Sequence, residues 1–129
     1  MKQGYKNALM ASAAAILLLT GCGSKQEAPV SFAKQIKPII DSQCIECHQQ
    51  DGQGFQASGL SMESYDTLMK GTKFGPVIKA GDALSSTLMI LIDGRADPSI
   101  NMPHGGRDPL SAEQIKLFET WINQGAQNN

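Results

Sequence analysis

Cys44-Ile45-Glu46-Cys47-His48 is the stretch on which the reading of this chain turns. Two thiols three residues apart lie within about one helical turn, so both can reach the two vinyl groups of one porphyrin as thioethers. The imidazole next in line then lies beneath the ring and can offer an axial nitrogen to iron. Three other uses of the same residues fit less well. A Cys44–Cys47 disulfide would close a very small loop and stabilise weakly. A thioredoxin-like dithiol belongs beside a βαβ unit, and no alternating strand pattern is present. Zinc needs four ligands; Cys44, Cys47, His48 and His104 are the candidates, without the usual paired spacing. One covalently attached haem c, held by Cys44 and Cys47 with His48 on its iron, is therefore expected.

Upstream, Lys2 and Lys6 form a short basic head, and the twelve residues Ala8 to Leu19 carry no charge. Twelve residues do not cross the roughly 30 Å of a bilayer core, and the pattern is that of a bacterial secretory signal. It ends Leu19-Thr20-Gly21-Cys22, which resembles the lipobox of bacterial lipoproteins. That resemblance implies cleavage before Cys22 and acylation of its thiol and new amino terminus, with several chains giving a stable anchor. Residues 1–21 are thus expected to be signal and 22–31 a lipidated Cys with a flexible, Pro-terminated tether. Residues 32–126 would be the working domain and 127–129 a tail. Without Lys2 and Lys6 the chain holds nine Lys and Arg against twelve Asp and Glu, with no basic run. Nucleic acid is therefore not an expected partner.

Within the domain the periodicity is helical. Phe32, Ile36, Ile39 and Ile40 share one helix face, with Ser31 as N-cap and Pro38 forcing a kink or a late start. Gln49 to Ser58 shows no period and is expected to be a loop. Ser61 to Met69 predicts a short helix ending before Gly71, and Leu84, Leu88 and Leu91 a further apolar stripe. The last helix is the clearest. Ser111 and Gln114 make a capping box, Leu110 can staple onto Ile115, and Ile115, Phe118, Trp121 and Ile122 form the buried stripe, with Gly125 at the stop. The fold class is all-α. Aromatic content is only 5%, and a domain this small needs a staple beyond its own side chains. Long loops wrapped around a large apolar ring would supply one.

A second iron ligand is sought in Ile100-Asn101-Met102-Pro103-His104, an irregular loop whose Met102 lies 54 residues beyond His48. Methionines usually fill gaps from helix faces, as Met62, Met69 and Met89 are expected to do; Met102 is out of place for that use. Pro103 would stiffen the loop. His104, two residues on, is the competing ligand, or else a loop histidine near a haem propionate.

These features together resemble the small class I cytochrome c family, and more narrowly the planctomycete-type cytochrome c domain. The shared series is Ile36-Lys37-Pro38-Ile39-Ile40 before Cys44-Ile45-Glu46-Cys47-His48, then Gly81-Asp82 with Ser86 and Leu88. It continues with Asn101-Met102-Pro103 and ends with Pro109-Leu110-Ser111 leading to Trp121-Ile122-Asn123-Gln124-Gly125-Ala126. His104 stands where such domains often have a second proline, and Ala83 where they often have one. The resemblance implies that the first and last helices cross beside the haem, with His48 proximal and Met102 distal. It also implies electron transfer rather than catalysis, and no catalytic triad or nucleotide loop is recognisable in the chain. The expected protein is a lipid-anchored electron carrier of the bacterial cell envelope, periplasm-facing or at the outer membrane, meeting redox partner proteins there. A haem-bearing subunit of a larger membrane complex is the alternative, and a haem peroxidase or ligand sensor a further one.

Overall fold

Proline 38 shapes the entry to the domain. The computed structural model describes residues 27–129; the expected signal, the expected lipid site Cys22 and the start of the expected tether lie outside that range. Ser31 caps the chain as expected, its hydroxyl accepting from Lys34 N. A π-helical turn then spans Phe32–Ile36, and helix α1 follows at Lys37–Gln43. Proline has no N–H to give the preceding turn. The backbone meets that gap with a wider turn, in which Lys37 N–H reaches the Phe32 carbonyl, before ordinary α-bonding resumes.

Four more helices follow: α2 (Gln53–Ser58), α3 (Tyr65–Lys70), α4 (Thr87–Ile92) and α5 (Ala112–Asn123). Among the described residues there is no strand, only an isolated bridge between Thr72 and Gly75, so the architecture is all-α. Three expectations change in detail. The stretch expected as a loop over Gln49 to Ser58 contains α2, which forms without apolar periodicity because its surroundings hold it: Phe55 N–H donates to the Cys47 carbonyl at 3.0 Å, and Gly59 closes the helix at φ +78°. Helix α3 starts at Tyr65 rather than near Ser61, because Ser64 and Thr67 form a reciprocal capping box there. The stripe over Leu84, Leu88 and Leu91 is rotated. Leu88, Met89 and Ile92 are buried on α4, and Leu84, outside the helix, is 77% exposed.

Helix α5 matches its reading closely. Ser111 and Gln114 cap it reciprocally, and Phe118, Trp121 and Ile122 are buried. Trp121 is fully buried, 5.5 Å from the Phe32 ring and 6.5 Å from that of Tyr65. The first and last helical segments thus meet through aromatic rings. The neighbouring chain ends are knitted to the same place. Trp121 Nε1 donates to the Gln127 carbonyl at 2.9 Å, and Tyr65 Oη to that of Ala126 at 2.8 Å. Asn129 Oδ1 accepts from Phe32 N–H at 2.8 Å, and its carbonyl accepts from Ala33 N–H. Before the first helix, Val30 N–H donates to Gln124 Oε1, whose amide in turn donates to the Ala28 carbonyl. Residues 27–31 of the expected tether and 127–129 of the expected tail therefore lie along α5.

Candidate haem site

The motif sits where α1 ends. Cys44 N–H still bonds the Ile40 carbonyl at 2.9 Å, and His48 N–H bonds that of Cys44 at 3.1 Å, so the five residues follow one irregular turn. Cys44 and Cys47 are free, half-buried thiols. His48 is buried. Its Nδ1 lies 3.2 Å from the Leu60 carbonyl. A carbonyl can only accept, so the proton of the neutral ring is on Nδ1, and Nε2 keeps its lone pair. Burial lowers the His48 pKa, opposed by the Leu60 bond and assisted by the charge of His104; the ring stays neutral, the form that binds a metal. Burial likewise pushes the Cys44 thiol up to about 11, against the pull of the Arg107 guanidinium.

The motif forms one wall of a cavity of about 540 Å³. Leu60, Met62, Val77, Leu88 and Ile92 supply apolar walls, and Met102, Pro103 and His104 lie along the loop that completes it. No carboxylate lines it, and Arg107 is its one guanidinium. Arg107 pairs with Glu46, which ties the loop after Met102 to the turn between the two cysteines. Met102 N–H donates to the Leu91 carbonyl at 2.9 Å, pinning the Met102 loop to the end of α4. Phe74, 85% exposed, stands at the rim.

Whether these residues suit a haem can be tested on the donor set. Among the described residues no three His, Cys, Asp or Glu side chains converge on a point where a bare ion could sit. Zinc is thereby disfavoured. Two thiols spread along one wall, a neutral imidazole beside them and a large apolar hollow in front suit a broad planar ring instead. Residues 44–105 match the family described as Planctomycete cytochrome C. This stretch is similar to the planctomycete-type cytochrome c domain. It runs from the first thiol of the motif past Met102, so the motif and Met102 both fall inside it. No curated protein and no solved structure matches the chain. The cytochrome domain implies covalently bound haem c and electron transfer rather than catalysis.

The structure gathers Cys44, Cys47, His48 and Met102 around one cavity; Cys22 is outside the described residues. Met102 is half-buried and packs against the core, whereas His104 is exposed. Sequence reasoning missed Leu60, which acts through a carbonyl common to every residue type, and the wall-forming role of Met62, which is both core and cavity lining. It also missed the Glu46–Arg107 pair, for which a separation of 61 residues leaves no local signal.

Proposed function

We propose that the protein is a lipid-anchored, monohaem c-type electron carrier of the bacterial cell envelope, with His48 and Met102 as iron ligands. The observation that carries the reading is the single cavity with the Cys44–His48 turn on one wall and the Met102 loop on another. When bound, the haem supplies one-electron chemistry at its iron. The chain's own residues do the rest. Cys44 and Cys47 hold the ring as thioethers, and the Leu60 carbonyl orients His48 so that Nε2 is the donor. The apolar walls exclude water, and the Leu91 bond steadies the loop from which Met102 offers sulfur. A thioether in place of a second imidazole favours ferrous iron and a higher potential. With His48 and Met102 both on the iron, small molecules would have no ready approach to it, which supports electron transfer to redox partner proteins over peroxidase or sensor chemistry. Cys22 supplies the membrane anchor in this reading; among the described residues no helix is long and apolar enough to cross a bilayer.

One observation favours a second ligand set: His104 also lines the cavity. Its exposure, against the half-burial of Met102, supports the methionine. The test is the ferric spectrum of protein matured with the c-type haem attachment machinery. Wild type should show the weak far-red methionine–iron band. Met102→Ala should lose it and let the ferrous protein bind carbon monoxide, while His104→Ala should change the spectrum little. Loss of the sixth ligand in His104→Ala alone would establish a bis-histidine site.

A further inference from the structure

We infer that Gly54 is the seat of the proximal imidazole, a positioning residue whose missing side chain lets His48 present Nε2 to the cavity. The inference rests on the reading of His48 as the iron ligand.

Gly54 lies in the first turn of α2 and lines the cavity beside His48. A Cβ built on it would stand 2.7 Å from His48 Cε1, 2.9 Å from His48 Nε2 and 2.9 Å from the Cys47 carbonyl oxygen. Carbon atoms do not approach so closely without something moving, and neither neighbour moves freely. The imidazole is buried, with Nδ1 bonded to the Leu60 carbonyl; swinging it away breaks that bond and turns Nε2 from its place. The Cys47 oxygen already accepts Phe55 N–H, so lifting α2 off it undoes the bond that supports the helix. The backbone itself does not call for glycine here, since no left-handed φ is found at Gly54. In a helix, alanine is moreover the better former, so local propensity would select against glycine at this position. What requires glycine is the ring lying against it. Gly52 gives a natural comparison: a Cβ there would also strike the Cys47 carbonyl, and its nearest neighbours are backbone atoms of Cys47 and Gln49 rather than the imidazole.

The experiment uses the full chain matured with haem and compares Gly54→Ala, Gly52→Ala and wild type. Labelled-histidine NMR of the ferric protein reads the His48 ring directly, with the reduction potential and covalent haem content measured alongside. Gly54→Ala should keep haem on both cysteines but shift the His48 ring resonances and the potential, and its ferric spectrum should gain a high-spin fraction. Gly52→Ala, whose Cβ presses on the Cys47 carbonyl rather than on the ring, should shift the His48 ring resonances less than Gly54→Ala does. If Gly54→Ala yields no folded protein, the double variant Gly54→Ala/His48→Ala should restore the yield of His48→Ala, because the ring that clashed is gone. Unchanged His48 resonances and potential in Gly54→Ala would overturn the inference. So would an equal shift in Gly52→Ala, or a double variant as poor as Gly54→Ala, since each would place the fault at the Cys47 carbonyl. Absence of haem c from wild type would instead defeat the underlying reading and leave a distinct signature.

Discussion

Trp121→Phe probes the contact on which the two ends of the domain depend. The indole is fully buried against Phe32 and Tyr65, and its N–H donates to the Gln127 carbonyl at 2.9 Å. Phenylalanine keeps an aromatic ring but loses the donor and the second ring. Losing the indole donor of a partly buried hydrogen bond costs about 1 kcal/mol. The lost ring atoms leave a hole worth about 2 kcal/mol by methylene equivalents and residual cavity. A total near 3 kcal/mol is a large fraction of the stability of a small domain. At roughly 4–8 °C per kcal/mol for a chain of this size, the melting temperature should fall by about 12–24 °C. Denaturant unfolding of the haem-loaded protein, followed by circular dichroism and the haem absorption band, measures it. The reduction potential should stay close to wild type, because Trp121 does not line the haem cavity. A loss below about 0.5 kcal/mol would refute the reasoning, showing that the aromatic contact between the chain ends is not what closes the domain.

Replacing Cys44 and Cys47 together with Ala should leave a chain with much reduced helicity and no cooperative thermal transition, because the loops lose the ring they surround; circular dichroism reads this. Cys22→Ser should move the protein from the membrane to the soluble fraction after a high-salt wash while leaving haem incorporation intact, since the two attachments use different cysteines. Asp82 is held down to about 2 by hydrogen bonds from Lys79 and from the Ser85 hydroxyl and N–H. A depressed folded value makes its contribution present above the ordinary carboxylate value near 3.8 and lost as pH falls toward 2. Asp82→Asn should therefore be less stable than wild type at neutral pH and show a shallower loss of stability between those limits. The group is exposed, so the effect should be small.

The parts of the fold that could be read from sequence are those where side-chain type alone decides. Helix α5 was legible because Ser111 and Gln114 cap each other and its apolar residues recur with the helical period. The haem turn was legible because two thiols and an imidazole at fixed spacing have few other uses. Helix α2 was not, since Gln53 to Ser58 carries no apolar face and is upheld by the Cys47 carbonyl and the ring of His48. Leu84 misled because a leucine four residues before Leu88 extends a helical period that the backbone begins only at Thr87. At the site, the groups that orient His48 are a carbonyl and an absent side chain. Neither has a residue type that announces its purpose before the chain is folded.

The hydrogen bonds along α5 also decide how the domain bears mechanical load. A pull transmitted through the stretch around Glu27 meets first the bonds from Val30 to Gln124 and from Gln124 to Ala28, then those joining Phe32 and Ala33 to Asn129. These lie side by side along one helix and one short tail, with Trp121 behind them. Tension from that direction is spread over several bonds and passes into α5, the longest helix among the described residues. The turn from Cys44 to His48 and the Met102 loop contribute none of those bonds. Tension entering near Glu27 therefore meets that strap before it reaches the residues around the cavity.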